Sequence, residues 1–328
     1  MNFKDIVGHE DIIRHMKSSI ELGKVSHAYL IHGERDSGKK LLARTFAQTL
    51  NCEAGGINPC GECQSCKQAV SGNHPDIITV THEKPEMVSV DEVREQLIDS
   101  IAIKPYKGKY KVYIVPDADL MTIAAQNTLL KTIEEPPEYG VVLLLASNLD
   151  KVLPTVLSRC VLLSTKPVND LDMLEYLQKN LGLSEDKAHF CIEFAQGNMG
   201  KAIKLAKNDE YAQVVESVVS VMKSIYTMDL DDLKRAVEHI ENFKLSINDY
   251  MDLMMMWYRD VLMLKVTGKV DKLLFRDEYA VLKKQAEILS FAAVEEKIDA
   301  ISKAKKRLVA NAGFDVTMEL LLYRLKEV

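Results

Sequence analysis

The first half of the chain alternates short apolar runs with amphipathic stretches. Four runs are apolar enough to be buried parallel strands, at 28–32, 76–80, 112–115 and 141–146. Apolar residues recur at helical spacing between and beside these runs, at 40–50, 89–100 and 122–134. This alternation, which extends over about 165 residues, predicts a three-layer α/β domain with right-handed crossovers.

After Lys166-Pro167-Val168 the pattern becomes purely helical. Shorter periodic stretches predict a small helical unit at 171–180, 184–196 and 200–207, and longer ones predict a bundle at 211–226, 230–243 and 247–264. We therefore predict three domains, at 1–166, 167–208 and 209–328. The methionine-rich run Met251, Met254, Met255, Met256 and Trp257 has the helical spacing of a core or a subunit interface.

The sequence Gly33 to Lys40 reads G-E-R-D-S-G-K-K and lies between a predicted strand and a predicted helix. That context makes Gly33, Gly38 and Lys39 candidate nucleotide-binding residues of a phosphate loop. The metal-handling positions are lost, however. Lys40 stands where a Ser or Thr hydroxyl would hold Mg²⁺, and Pro116 stands where a strand-end Asp would. We therefore expect no Mg²⁺ site and no ATP hydrolysis by this chain.

Two interpretations of the phosphate loop stay open. Lys39 and the backbone amides of 35–39 could still bind the phosphates of ATP at a helix N-terminus. Alternatively, Arg35 and Lys40 crowd an empty loop. The nearby carboxylates of Asp117 and Asp119 are interpreted as surface caps rather than general bases.

Four cysteines are spaced C-x7-C-x2-C-x2-C among turn-forming glycines, at Cys52, Cys60, Cys63 and Cys66. Four thiolates in a reducing compartment predict a closed, structural Zn²⁺ site. Disulfides are an alternative, but cytosolic thiols stay reduced. A redox-active C-x-x-C pair would leave two cysteines unexplained. The remaining Cys160 and Cys191 are interpreted as packed apolar residues.

Composition and charge argue against several classes of protein. The net charge of −6 over 328 residues argues against a protein that coats DNA with its whole surface. No apolar stretch reaches the roughly 20 residues that cross a bilayer, and the first residues do not resemble a signal peptide. We therefore expect a cytoplasmic protein without membrane contact. Lysine clusters at 104–111 and 303–307 are interpreted as solvated surfaces.

Several segments together resemble the AAA+ clamp-loader family of bacterial DNA polymerase III. They are 3–9, 26–30, 119–122, 125–137 with the sequence A-Q-N-T-L-L-K-T-I-E-E-P-P, the triplet Ser158-Arg159-Cys160, and 305–322, which includes Asn311. The resemblance extends from residue 3 to 325 and includes the cysteine spacing. It implies an AAA+ P-loop domain with a zinc-binding insertion at 52–66, a helical lid domain and an all-α collar domain for oligomerisation.

The departures from this family concern phosphate and metal handling. Besides Lys40 and Pro116, Gly200 stands where family members carry a sensing Arg. The resemblance therefore implies a non-hydrolysing subunit in a hetero-pentamer with gamma/tau and delta subunits. Such a complex loads the sliding clamp onto primer-template DNA.

Arg159 lies in the triplet that carries the family's arginine finger. A guanidinium supplied in trans stabilises charge on a transferred phosphoryl group, an effect worth roughly 10³–10⁵ in rate. Two other functions remain open on the sequence alone: an active ATPase of the gamma/tau type, and a zinc-dependent redox or metal-sensing protein.

Overall fold

Five parallel strands form one sheet in the computed structural model of the chain, which describes residues 2–85, 87–207, 209–270, 273–310 and 312–327. The strands are β1 (Ala28–His32), β2 (Ile77–Thr79), β3 (Lys111–Val115), β4 (Gly140–Ala146) and β5 (Val161–Ser164). Their order across the sheet is β2-β3-β4-β1-β5. The structure confirms the four predicted strands. The fifth, β5, was not predicted, because its side chains alternate between partly buried and exposed positions at the sheet edge.

Helices cover both faces of this sheet. The helices between residues 10 and 181 are α1 (Glu10–Glu21), α2 (Lys39–Leu50), α3 (Gln64–Ser71), α4 (Val90–Val93), a π-helical turn (Arg94–Ile98), α5 (Asp99–Ile101), α6 (Ile123–Glu134), α7 (Pro154–Leu157) and α8 (Asp170–Leu181). Short 3-10 turns lie at Phe3–Asp5, Ala118–Leu120 and Leu149–Lys151. Alternate strand residues enter two separate cores. Leu30 and Tyr113 pack on one face, and Tyr29 and Ile114 pack on the other. The predicted three-layer α/β architecture is confirmed.

The chain divides into two compact units, Met1–Gly182 with Ala195–Lys201, and Leu183–Phe194 with Ala202–Val328. The predicted boundaries at 1–166, 167–208 and 209–328 remain a prediction. Residue 208, at one of these boundaries, residue 328 at the end of the last domain, and Asn311 within the family-like C-terminal segment lie outside the described residues.

The remaining helices are α9 (Glu185–Ala195), α10 (Met199–Lys207), α11 (Asp209–Ser224), α12 (Leu230–Glu241), α13 (Ile247–Thr267), α14 (Tyr279–Ile288), α15 (Phe291–Val309) and α16 (Phe314–Lys326), with 3-10 turns at Lys244–Ser246 and Arg276–Glu278. No strand follows Ser164 in the described part of the chain, as the sequence predicted. The second unit is built around one helical core in which Met251, Met254 and Trp257 are fully buried. These residues therefore belong to the core rather than to an exposed interface. None of the helices that the structure describes combines the length and the apolar character needed to span a membrane.

Candidate functional site

The phosphate loop connects the carboxyl end of β1 to the first turn of α2. Gly38 precedes this helix with φ +89°, a left-handed conformation that L side chains rarely adopt. The buried ammonium of Lys39 donates to the carbonyls of Gly33 at 2.6 Å and Glu34 at 2.5 Å, and to Ser147 Oγ at 3.2 Å. The candidate residues Gly33, Gly38 and Lys39 thus lie in one loop, where the chain itself supplies three acceptors for the lysine.

Burial and nearby carboxylates shift the pKa of Lys39 in opposite directions. Burial lowers the pKa of this ammonium, while the carboxylates of Asp119, Asp117 and Asp36 act in the opposite direction. A buried cation with three acceptors and nearby negative charge is stable without a phosphate group. The position of Lys39 therefore does not by itself decide between the two interpretations of the loop.

Neighbouring segments of the chain form hydrogen bonds with the phosphate loop. His9 Nε2 bonds the carbonyl of Ser37 at 2.9 Å, and Thr165 Oγ1 bonds Ser37 Oγ at 3.1 Å. Asn198 Nδ2 donates to the carbonyl of Arg35 at 2.8 Å. A Cβ added to Gly200 would lie only 2.2 Å from the carbonyl oxygen of Asp36. Gly200 therefore cannot accept a side chain unless this loop moves.

Lys40 and Pro116 occupy the two positions at which, from the sequence, we expect an ATPase to hold Mg²⁺. Lys40 is exposed in the first turn of α2, and Pro116 directly follows β3. Two carboxylates follow Pro116, and the second of them is Asp119. Its two oxygens accept the backbone N–H groups of Ser147 at 3.1 Å and Asn148 at 3.2 Å. Asp119 thus links the segments that follow β3 and β4, which is a capping role.

Arg159 and the phosphate loop lie at opposite ends of two neighbouring strands, Arg159 before the amino end of β5 and the loop after the carboxyl end of β1. Arg159 precedes β5, whose residues Val161–Ser164 run parallel to β1 in register with Tyr29–His32. Thr165 then reaches the level of the loop, where its N–H bonds the carbonyl of His32 at 2.8 Å. The run from Val161 to Thr165 spans about 13 Å along the strand direction. Because Arg159 lies beyond the far end of this run, a role at its own phosphate loop is geometrically disfavoured.

The guanidinium of Arg159 is held by its own domain. Its Nε lies 2.7 Å from Glu134 Oε1 at the last residue of α6. Its Nη1 donates to the carbonyl of Thr155 at 2.9 Å and to Ser158 Oγ at 3.2 Å. The side chains of Arg159 and Glu134 remain 39% and 46% exposed. Sequence reasoning named Arg159 but missed its pairing with Glu134, although both lie in family-like segments.

The four cysteines converge on one point beside α3. Their sulfur atoms all lie within 4.8 Å of one another, and Cys60 Sγ and Cys66 Sγ are 3.9 Å apart. Tetrahedral Zn²⁺ with Zn–S bonds near 2.3 Å places sulfur atoms about 3.8 Å apart. The backbone N–H groups of Cys60, Cys63 and Cys66 point at sulfurs of the cluster, at 3.3, 3.4 and 3.3 Å. This donor set could hold a metal ion.

The thiols of the cluster differ in proton affinity. Backbone N–H donation from Cys63 and Glu62 lowers the pKa of Cys60 to about 6, whereas burial raises the pKa of Cys66 to about 12. A divalent cation among these sulfurs would favour the thiolate form of all four. Outside the cluster, burial raises the pKa of both Cys160 and Cys191 to about 11.

Buried hydrogen bonds fix the cysteine segment to the sheet domain. Asp76 N–H donates to His74 Nδ1 at 3.0 Å, so the proton of neutral His74 lies on Nε2. That nitrogen lies 2.9 Å from Ser65 Oγ, which in turn donates to the carbonyl of Asn51 at 2.6 Å. Burial lowers the pKa of His74, which favours this neutral form. The cluster is therefore held in a rigid, internally hydrogen-bonded module.

The known proteins that this chain is similar to include subunits of DNA polymerase III. A family profile described as DNA polymerase III, delta subunit, matches residues 8–169. DNA polymerase III subunit delta' of Bacillus subtilis is 30% identical over 324 residues, which cover 96% of this chain and 95% of that protein. DNA polymerase III subunit tau/gamma of Haemophilus influenzae is 32% identical over 241 residues, which cover 70% of this chain and 35% of that protein. A crystal structure of a DNA polymerase III gamma subunit-related protein from Thermotoga maritima has a TM-score of 0.48 at 17% identity, and the alignment covers 97% of this chain and 98% of that one.

Proposed function

The chain belongs to the clamp-loader family of DNA polymerase III, and we propose that it is a delta-prime-type subunit that does not hydrolyse ATP but completes a neighbour's ATP site with Arg159. In this role the chain assembles with gamma/tau and delta subunits into a hetero-pentamer. The complex uses ATP to load the sliding clamp onto primer-template DNA. This chain contributes an arginine finger and a rigid end of the assembly.

One combination of positions carries this proposal. The phosphate loop keeps Gly33, Gly38 and Lys39 but is followed by exposed Lys40, and the residue after β3 is Pro116 rather than a carboxylate. Mg²⁺ is bound through oxygen ligands, which neither residue offers as a side chain. Arg159, by contrast, is exposed at the amino ends of the strands, where a second subunit could reach it. This chain lacks side-chain ligands for Mg²⁺ at its own phosphate loop but exposes an arginine. That combination supports a role for Arg159 at a nucleotide bound by another subunit.

We assign Zn²⁺ to the cluster of Cys52, Cys60, Cys63 and Cys66. Four sulfur ligands favour Zn²⁺ and leave no open coordination position, so the role is structural. The metal would be held between α2 and α3 and would stabilise the module at the base of the phosphate-loop helix. The alternative thiol redox function requires Cys60 and Cys63 to cycle without metal, and metal analysis separates the two.

An active ATPase of the gamma/tau type is the second candidate. It is favoured by the intact spacing of Gly33, Gly38 and Lys39 and by the similarity to tau/gamma subunits. Nucleotide binding without turnover is compatible with the first function, so binding alone does not separate the candidates.

Steady-state ATP hydrolysis by the purified chain tests the choice. We expect no turnover above background with excess Mg²⁺, and the same background for the matched variant Lys39→Ala. Turnover by the parent chain that Lys39→Ala abolishes would favour the active motor, because only hydrolysis at this phosphate loop depends on that lysine.

A further inference from the structure

The acceptors around Arg159 leave one edge of its guanidinium unused. The group carries five N–H donors, one on Nε and two on each terminal nitrogen. Nε faces Glu134, and Nη1 bonds the Thr155 carbonyl and Ser158 Oγ. Within the described residues, Nη2 has no acceptor. Three contacts therefore fix the plane of the guanidinium, and the two donors of Nη2 remain available.

Glu134 is well placed for this orienting role. It is the last residue of α6, and the following chain turns at Pro136-Pro137 before β4 begins. The opposite end of α6 is capped by Thr122, whose side chain accepts from the N–H of Ala125. Buried Gln126 anchors the same helix to the segment before α7, since Gln126 Oε1 accepts from Leu153 N at 2.7 Å. The carboxylate is thus supported by elements that are themselves fixed.

We infer that Glu134 is a positioning residue for Arg159: its carboxylate holds Nε by an ion pair, and the guanidinium then presents Nη2 to an anionic group held by another subunit. Because this role rests on the proposed function of Arg159, the anionic group is the terminal phosphate of a nucleotide bound by the neighbour. The two N–H groups of Nη2 point in different directions, so each can donate a charge-assisted hydrogen bond to a phosphate oxygen. A flexible arginine would have to lose side-chain freedom on binding, and the three existing contacts reduce that cost.

The opposite role for Glu134 would be to lock the finger by neutralising its charge. Both side chains are partly exposed. An ion pair of this kind favours the paired over the unpaired state by no more than about fivefold. A lock of that strength would be weak against a polyanionic nucleotide. The two roles predict opposite effects when the acceptor is removed, so a mutational series separates them.

The test uses the complete clamp-loader complex, reconstituted with its companion subunits, ATP, the clamp and primed DNA. The variants of this chain are Glu134→Ala, Glu134→Gln, Arg159→Ala and the matched control Glu135→Ala, which alters the adjacent exposed carboxylate. Glutamine keeps an acceptor oxygen at the same reach, whereas alanine removes it. Complex formation and thermal unfolding of each variant are measured in parallel.

We expect Glu134→Ala to lower kcat by about three- to fivefold, near the limit for an exposed ion pair, with the KM for ATP unchanged. Glu134→Gln should stay within about twofold of the parent, because its amide keeps an oxygen within reach of Nε. Glu135→Ala should match the parent. Glu134→Ala should add no further loss in the Arg159→Ala background, since its effect passes through the guanidinium.

Other outcomes would overturn the inference in distinguishable ways. If Arg159→Ala lowers kcat but Glu134→Ala does not, the finger stands and Glu134 has no positioning role. Rate increases in both Glu134 variants would identify a lock instead. A glutamine variant no better than alanine would also contradict orientation by an acceptor. If Arg159→Ala itself matches the parent, the proposed function fails, and the role of Glu134 fails with it.

Discussion

Lys39 and Arg159 are two cations of the same domain with contrasting environments. Lys39 is buried and satisfied by Gly33, Glu34 and Ser147, whereas Arg159 is partly exposed and has unused donors. The local motif around Lys39 was visible in the sequence because its partners lie within the same strand-loop-helix unit. The pairing of Arg159 with Glu134 was not, because it depends on how α6 and the segment before β5 meet in three dimensions.

His9 is a further residue whose role only the structure reveals. Its Nε2 bonds the carbonyl of Ser37 in the phosphate loop, while its Nδ1 is buried without a partner in the described residues. Burial lowers the pKa of His9 from 6.5. The folded state therefore binds the proton less readily than the unfolded state. The stability that neutral His9 contributes is complete above pH 6.5 and is lost as the pH falls towards its lower folded pKa.

We predict that His9→Gln makes the free energy of unfolding depend less on pH in the acid range, because a glutamine amide can donate to Ser37 without titrating. Urea unfolding of parent and variant at several pH values between 7.5 and 5.5 measures the effect. The slopes of the free energy of unfolding against pH should differ between parent and variant by at most about 1.4 kcal/mol per pH unit. The exposed His15→Gln serves as the control and should leave the slope unchanged. Parallel profiles for His9→Gln and the parent would contradict this role.

At the scale of elements, hydrophobic periodicity predicted the central strands within one or two residues. β3 and β4 are buried along their whole length, and this produces the continuous apolar runs seen in the sequence. β5 was missed because an edge strand with exposed positions has no such run. The cysteine spacing predicted a cluster, but not α3, whose first turn is capped by Cys63 itself.

The cysteine module yields a metal prediction. Protein prepared without chelators should contain one equivalent of zinc by elemental analysis, and Cys63→Ser should lose it because three sulfurs leave the tetrahedron incomplete. The matched variant Cys160→Ser should keep its zinc, since Cys160 lies outside the cluster. Chelation should increase the number of rapidly reacting thiols and lower the unfolding temperature. A parent protein without zinc would remove this assignment.

Helix α16 gives a prediction about assembly. Its inner face is buried through Met318, Leu321 and Leu322, whereas Val316, Leu320 and Tyr323 are 63%, 52% and 51% exposed. Their spacing places them on one outer stripe of the helix. An exposed apolar stripe is typical of an interaction surface. In the proposed collar, this stripe rather than the methionine-rich core of α13 would contact a neighbouring subunit.

We predict that Leu320→Asp weakens incorporation of the chain into the complex by at least about tenfold, because a buried unpaired charge is costly at an interface. The control is Leu230→Asp, at another exposed leucine of the same helical unit, 62% exposed. Both variants should unfold at the parent temperature, and size-exclusion chromatography with the companion subunits measures incorporation. Equal incorporation of Leu320→Asp and the parent would exclude the stripe from the interface.

For the whole molecule, the sequence predicted the fold class and the grouping of the candidate residues. Parallel β1 and β5 place Gly33 and Arg159 at opposite ends of the strands, and this separation follows from topology rather than from any local motif. In the proposed function, this separation would let one domain lack a metal site of its own and still contribute Arg159 to a neighbour's site. Which subunit receives Arg159 depends on surfaces of the partner chains, so it cannot follow from this sequence.

ATP hydrolysis by the complete complex, stimulated by clamp and primed DNA, separates action in trans from action in cis. Three complexes are compared, which carry the parent chain, Arg159→Ala or Lys39→Ala. We predict partial loss of hydrolysis for Arg159→Ala and parent-level hydrolysis for Lys39→Ala. Arg159→Lys should rescue poorly, because an ammonium lacks the planar, bidentate geometry. Parent-level hydrolysis with Arg159→Ala together with a loss for Lys39→Ala would show that this chain works as a motor rather than as the donor of a finger.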